Sequence, residues 1–412
     1  MGSEQHLKRA RRESKAGKVE ALLDAKLKGV EWGEFRIGDL FEKIKTKKLH
    51  YKANDLPKQI TGKHTLPCLT SSFQNQGLNY FVPREGATIL KNVISIPSNS
   101  DIYRAYFQAN EFTVLSDAYA IRWIFNNLTL SNNQSLFVVQ SINKITDLPI
   151  YSYKNKLGGW NIVKNKYIQL PTKNNEIDFE FMENFIAELE AQKIARLEAY
   201  LVENGLKEYR LSDEENEVLR DFESGNIKWK EFKLGGLFEI KGNPQLNKDS
   251  FNFNKNGKYP YFTRTIFNNG IFGYVNYLDE EHKIQGNCLA IGMMGMQFFY
   301  MEKDFYAGQF TKRAIPKSFA LNKKLANYFT TVINKKQGYF KNLLVRQFEQ
   351  TFNNETIQLP TKNNQPDYAL MQTLISAVQK LVVKDVVLYV EGREALDTES
   401  QIEYNNNMES KA

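Results

Sequence analysis

The sequence has 412 residues, of which 42% are hydrophobic and 13% aromatic, so it can fill two interiors at ~150 residues per domain. Fifty-five Lys and Arg against 47 Asp and Glu leave a net charge of +8, an excess that admits nucleic acid as a partner without requiring it. Two cysteines, Cys68 and Cys288, argue against a disulfide framework or a thiolate metal site. No run approaches the ~20 apolar residues of a membrane span, so a cytoplasmic protein is expected.

Residues 1–29 combine a basic segment (Lys8, Arg9, Arg11, Arg12, Lys15) with helix formers over 18–27 that stop at Gly29. The basic run suits either phosphate contact or a solvated end, and no apolar core follows it as a signal peptide requires. Next comes VEWGEFRIGDLFEKIK at 30–45, which recurs as IKWKEFKLGGLFEIKG at 227–242. Trp32, Phe35, Gly38, Leu40 and Phe41 match Trp229, Phe232, Gly235, Leu237 and Phe238, each 197 residues on (229 − 32). A short strand, a turn at the glycine and an apolar pair are predicted, with these residues serving packing.

A second repeat pairs LPCLTSSFQNQGLNYFV (66–82) with YPYFTRTIFNNGIFGYV (259–275). Thr70, Asn75 and Gly77 match Thr263, Asn268 and Gly270, which predicts strand, exposed loop, strand in both halves. The frame agrees while the contents differ: Ser71, Ser72, Phe73 and Gln74 stand opposite Arg264, Thr265, Ile266 and Phe267. Such a pairing is what two readers of different targets would show, with Ser71, Ser72, Gln74, Asn75, Arg264, Thr265, Asn268 and Asn269 as the candidate reading residues. Residues 93–124 and 288–315 read as apolar strands joined by polar loops. Arg104, Gln108, Gln297, Gln309, Lys312 and Arg313 are further candidates there, against an ordinary surface role.

IQLPTKNN occurs at 168–175 and again at 357–364, 189 residues on (357 − 168). That distance far exceeds the ~20 to 50 residues of a solenoid repeat, so the duplicated unit is a domain plus a helix. Asp178 and Asp367 are good N-caps for long helices. Met182, Phe185, Leu189, Leu197 and Tyr200 form an apolar stripe on the first, and Met371, Leu374, Val378, Val386 and Tyr389 repeat it on the second. Two equivalent stripes fit helices that bury each other or dock a partner. Between the halves lies an acidic stretch in which Ser212 and Glu215 make a capping-box pattern. The polar end of the chain suggests a tail without regular structure.

No Gly-rich phosphate loop, H-E-x-x-H, Cys-x-x-Cys or G-x-S-x-G is present, and His6, His50, His64 and His282 lack ligand spacing. Catalysis by this chain alone is not expected. With the duplicated Trp-x-x-Phe-x-x-Gly-x-Leu-Phe start, the duplicated I-Q-L-P segment and the Asp-led helices, residues 18–392 resemble specificity subunits of type I restriction–modification systems, most of all the form associated with type IIB enzymes.

The resemblance implies an α/β (α+β) fold with two similar target recognition domains, each followed by a long helix, the helices pairing as an antiparallel coiled coil. Boundaries are then a basic segment and short helix at 1–29, recognition domains at 30–177 and 227–366, conserved-region helices at 178–203 and 367–392, an acidic linker at 204–226 and a tail at 393–412. It implies a non-catalytic subunit that binds a bipartite asymmetric site on double-stranded DNA. Its partners would be a methyltransferase, fused restriction–modification subunits, or a second copy of the chain. S-adenosylmethionine and the Mg2+ needed for cleavage would sit on partner subunits. A two-domain scaffold for protein interactions is the competing reading, separable by gel shift with random duplexes.

Overall fold

A computed structural model describes residues 21–254, 256–342 and 345–409, the last 17 of them (393–409) as backbone. The basic run at 8–15 and the start of the helix expected from residue 18 lie outside the described residues. The chain divides into two compact units, residues 1–197 and 198–412.

The first unit opens with helix α1 (residues 21–29) and strand β1 (Glu31–Arg36), then a helical turn at Ile37–Leu40 and strand β2 (Phe41–Lys43). Gly38 explains itself there. Its N–H donates to the Lys164 carbonyl at 2.8 Å, and a Cβ on it would lie 2.8 Å from that oxygen. Strands β3 (His64–Leu69), β4 (Leu78–Pro83), β5 (Val93–Pro97), β6 (Tyr106–Gln108), β7 (Thr113–Val114) and β8 (Ala118–Trp123) follow. They form a four-stranded sheet of order β2-β8-β5-β6 and a three-stranded sheet of order β4-β3-β7, in which β3 and β7 run parallel.

Helix α2 (Asn132–Thr146) starts at a capping box made by Ser131 and Gln134. It buries Phe137, Val138, Val139 and Ile142 in one core with Ile94, Ile96 and Ile121. The first IQLPTKNN copy is strand β9 (Tyr167–Lys173), paired with β1. Asn174 and Asn175 both take left-handed backbone (φ 53° and 63°), the two-residue turn that twists correctly into strand β10 (Glu176–Ile177). Asp178 then accepts a hydrogen bond from the Phe181 N–H at 2.8 Å and caps helix α3 (Phe179–Glu203).

The second unit repeats this plan. Helix α4 (Asp213–Glu223) precedes strands β11 (Trp229–Lys233), β12 (Phe238–Gly242), β13 (Tyr259–Phe262), β14 (Ile271–Val275), β15 (Cys288–Gly292), β16 (Gln297–Met301), β17 (Tyr306–Ala307) and β18 (Thr311–Pro316). Helices α5 (Lys323–Asn334) and α6 (Phe348–Asn354), strands β19 (Thr356–Lys362) and β20 (Gln365–Pro366) and helix α7 (Tyr368–Glu409) complete it. Sheet orders are β12-β18-β15-β16, β14-β13-β17 and β11-β19-β20, strand for strand those of the first unit, with β13 and β17 again parallel. Its core is more aromatic: Phe238, Phe298, Phe329, Phe340, Phe348 and Phe352 are all buried in one cluster.

Three expectations change in detail. Helix α7 continues to Glu409, across the stretch expected to lack structure, because Ala395, Leu396 and neighbouring carboxylates are good helix formers and no Pro intervenes. Trp32 stacks on Phe137 inside its domain, whereas Trp229 is 42% exposed, its edge against Phe222. The helix stripes divide in two. Met182 and Phe185 pack into the core of the first unit, and Met371 and Leu374 into that of the second, while Leu189 and Leu197 are half-buried. Farther along, Tyr200, Val378, Val386 and Tyr389 are exposed, and the buried positions are Leu201, Ala377, Val387 and Val390. Each buried residue adjoins the one expected: Ala377 comes one place before Val378, and Leu201, Val387 and Val390 come one place after Tyr200, Val386 and Tyr389.

Candidate nucleic-acid interface

The polar loop between the first two long strands is built twice on the same hydrogen bonds. In the first unit the Thr70 N–H donates to the Gly77 carbonyl at 3.0 Å, and in the second Thr263 does the same to Gly270 at 2.7 Å. The threonine hydroxyl reinforces that closure at 3.3 Å in both. Side-chain amides of Asn75 and Asn268 donate to the carbonyls of Leu78 and Ile271. Three consecutive residues are left-handed in each loop: Asn75, Gln76 and Gly77 (φ 44°, 54°, 86°), and Asn268, Asn269 and Gly270 (φ 49°, 52°, 77°). Asn and Gly are the residues that adopt this conformation at least cost, which is why the Asn-x-Gly pattern recurs. The result is a rigid loop whose tip points to water, with Phe73, Gln74, Ile266 and Phe267 all exposed.

Around the first loop the neighbouring polar groups hold it in place. The Ser100 hydroxyl donates to the Ser71 carbonyl at 2.8 Å and the Tyr106 hydroxyl to the Phe73 carbonyl at 3.1 Å. The Gln108 amide donates to the Gln76 carbonyl at 3.1 Å and to Ser95 Oγ at 3.0 Å. Gln108 is buried at the end of β6, so it supports the loop and is not placed to read a base. Arg104 is exposed but engaged. Its Nε donates to Asp147 at 2.7 Å, and that hydrogen bond, then the carboxylate charge, raises the guanidinium pKa further. Ser71 and Ser72 are half-buried; Gln74 and Asn75 are exposed. A cavity of about 340 Å³ opens at Ser98, lined also by Lys43, Tyr119, Gly159, Trp160 and Asn161. Tyr119 is buried there with its hydroxyl unpartnered.

Around the second loop the chemistry differs. The Arg264 guanidinium lies over the Phe310 ring at 5.6 Å, a cation–π contact. Thr265 is half-buried, and its hydroxyl accepts from the Phe267 N–H at 3.2 Å. Gln309, beside Phe310, is exposed and donates to Asn247 at 3.0 Å. Arg264, Asn268, Asn269 and Gln309 are thus brought to one exposed region. Lys312 and Arg313 are not, since they belong to β18. Lys312 lies 3.5 Å from Glu349, and Arg313 donates to the Asn243 side chain at 2.9 Å and the Gly242 carbonyl at 3.3 Å. Gln297 begins β16 and is half-buried. Phe73, Phe267, Met294 and Phe310, large exposed side chains at the same tips, are not among the sequence candidates, because those were chosen for polar groups that can hydrogen-bond base edges.

Among the described residues no group of His, Cys, Asp and Glu is placed to hold a metal ion, and no helix is long and apolar enough to cross a membrane. Both cysteines are buried, which pushes their thiols up to about 12, so neither is an activated nucleophile.

A family model described as type I restriction modification DNA specificity domain matches the chain twice, at residues 29–199 and 226–382. The chain belongs to this family. No curated protein sequence matches it. Its fold is similar to the crystal structure of the type I restriction–modification S subunit from M. genitalium, with a TM-score of 0.56 at 13% identity over 91% of this chain and 94% of that one. The HsdS subunit from Thermoanaerobacter tengcongensis matches with a TM-score of 0.29 and 12% identity, over 88% of this chain and 91% of that one. A chain from a structure concerning complex assembly and conformational transition of the type I R-M system gives 0.31 and 13%, over 90% and 94%.

Proposed function

We propose that this member of the type I DNA specificity family recognises a bipartite, asymmetric site on double-stranded DNA and positions methyltransferase or fused nuclease–methyltransferase partners on it, with no catalytic residue of its own. The observation that carries the reading is the pairing of identical frames with unlike tips. Sheet orders, loop closures and helix caps repeat between the units, while the loop residues at 71–74 and 264–267 do not. Two readers of one target would repeat both, whereas two readers of different half-sites need only the frame in common.

Exposed side chains of Gln74, Asn75, Arg264, Asn268 and Asn269 have the donor and acceptor groups that read base edges, each good bidentate contact being worth about 1–3 kcal/mol of discrimination. Lysines and arginines add sequence-blind affinity that falls steeply with salt. In this reading α3 and α7 pair and set the spacer. The 25 residues of α3, at 1.5 Å each, make a rod of about 37 Å, close to one turn of duplex. S-adenosylmethionine and Mg2+ would be bound by the partners, which would flip and methylate an adenine at N6 and, with nuclease present, cleave.

The test is methylome sequencing of cells that carry this chain with its neighbouring methyltransferase. A new modified motif with two unlike half-sites and a fixed spacer is the expected result. A palindromic motif, or none, overturns the proposal, as does duplex binding by the purified chain that is indifferent to salt.

A further inference from the structure

The β15–β16 turn of the second unit supports the Arg264 loop directly. A Cβ on Gly292 would come within 2.8 Å of Arg264 Cα, and one on Gly295 within 2.6 Å of the Ile266 side chain. On this base stand Ile266, Phe267, Met294 and Phe310, which are 45%, 77%, 64% and 49% exposed. Large apolar groups clustered at one tip are disfavoured in water and mark a surface that is covered in use. Phe310 strengthens the point. Its backbone is left-handed (φ 57°), a costly conformation for a bulky residue, and its ring lies beneath the Arg264 guanidinium.

We infer that this patch is a wedge for duplex DNA: Phe267, backed by Ile266 and Met294, inserts between two base pairs of the half-site read by the second unit, while Arg264, held on Phe310, faces the adjoining backbone. The inference rests on the specificity reading above. Duplex DNA fits better than a protein occupant for two reasons. The patch is rimmed by a guanidinium and by the amides of Asn268, Asn269 and Gln309, groups suited to phosphates and base edges. It is also absent from the first unit, whose loop tip has Ser71, Ser72, Phe73 and Gln74, whereas a surface docking the same protein on both units would be repeated. Apolar wedges of this kind unstack a step and kink the duplex, so the second half-site should contain a readily unstacked pyrimidine–purine step.

The experiment uses the full chain and duplexes carrying the site mapped by methylation, with 2-aminopurine at each position of the second half-site in turn. Wild type should raise fluorescence at one step, Phe267→Ala should abolish that rise, and affinity should fall at least about tenfold. Phe267 is surface-exposed, so its replacement leaves the fold intact, and Phe267→Leu should retain part of the signal. Wild type that binds and discriminates without unstacking any position overturns the wedge alone. So does a Phe267→Ala protein that binds DNA as wild type does, and one that does so but no longer assembles with the methyltransferase reassigns the patch to a protein partner. Wild type that does not bind the mapped duplex removes the specificity reading and this inference with it.

Discussion

The two units share a frame down to single hydrogen bonds and differ where nothing in the frame constrains them. The connection from β5 to β6 has eight residues (98–105), and that from β15 to β16 has four (293–296). Tyr119 and Lys312 occupy one register position, each four residues before the partner of the first residue of β2 or β12. Trp160 and Glu349 are likewise equivalent, 189 residues apart. One location thus carries an aromatic edge contact at 6.2 Å in the first unit and an ion pair at 3.5 Å in the second. The first tip exposes Phe73 beside Gln74; the second exposes Ile266, Phe267, Met294 and Phe310. A duplicated domain keeps what its backbone geometry requires, and chemistry at its exposed ends is free to diverge.

The most damaging change should strike the shared frame. Gly77 and Gly270 are both left-handed, and a Cβ would meet Leu69 Cδ1 at 2.7 Å in one and Phe262 Cε2 at 2.2 Å in the other. Both neighbours are buried, but the end of a leucine rotates away more readily than a ring fixed in a core. Gly270→Ala should cost about 4 kcal/mol and Gly77→Ala about 2 kcal/mol, combining the left-handed penalty with overpacking. Denaturant unfolding of each variant checks both values. Equal costs would mean that the two loops are more alike in their packing than these contacts imply.

Next in size is the brace between the helix before each domain and the helix after it. In the first unit Lys26 pairs with Glu188 on the surface, worth less than about 1 kcal/mol. In the second, Glu215 is buried, pairs with Lys380 at 2.8 Å and accepts the Ser212 N–H of its own capping box. Burial pushes the Glu215 carboxyl up, but the hydrogen bonds from Lys380, Ser212 and Ser376 outweigh it and hold it down to about 2, from 4.5. A depressed carboxylate stabilises fully above its unfolded pKa and less as pH falls through the folded one. The second unit should therefore lose up to roughly 3 kcal/mol between pH 4.5 and 2, a loss that Glu215→Gln abolishes. Acid unfolding followed by the indoles near each brace distinguishes the units, since Trp229 packs against Phe222 and Trp32 stacks on Phe137.

Much of the frame was legible in the sequence because the same constraints were written twice. Gly38 and Gly235 recur because a Cβ on either would strike a carbonyl, at 2.8 and 2.7 Å. The Asn pairs at 174–175 and 363–364 recur because both residues of that turn are left-handed. Asp178 and Asp367 recur because each caps a helix. The tips were less legible. Gln108 and Arg313 have the same side-chain chemistry whether they face a groove or brace a sheet, and only tertiary contact decides. Phe267 falls in a loop expected to be exposed but is not among the candidate reading residues, and Phe310 is not singled out, since hydrophobicity alone does not say which apolar groups a ligand will cover.

Exchanging the tips tests how far they act independently of the frame. Arg264→Ser, Thr265→Ser, Ile266→Phe and Phe267→Gln together give the second loop the contents of the first. The shared Thr–Gly closure should keep the fold, with stability changed by less than about 1 kcal/mol at these exposed and half-exposed positions. Recognition should change more, by about 1–3 kcal/mol for each base edge that is no longer hydrogen-bonded, and only in one half of the methylated motif. A motif altered in both halves would show that the units do not read separately.

The smallest effect is the sharpest comparison, because one backbone position is left-handed in both units and occupied by different residues. Asp117 (φ 54°) accepts the Ser98 N–H at 2.8 Å, and Phe310 (φ 57°) accepts the Met293 N–H at 2.9 Å. Aspartate tolerates this region and phenylalanine does not, so strain is stored in the second unit only. Asp117→Gly should change stability by a few tenths of a kcal/mol, whereas Phe310→Gly should stabilise the second unit by about 1 kcal/mol. Hydrogen exchange of the β18 amides would register that gain locally. The same variant frees the Arg264 guanidinium from its ring, so it should bind the second half-site more weakly while holding its fold more tightly. Stability and recognition moving in opposite directions at this one position, and not at Asp117, would identify Phe310 as a residue kept for what it presents to a ligand. If Phe310→Gly destabilises instead, the ring contributes packing that outweighs its strain, and the asymmetry between the tips is structural.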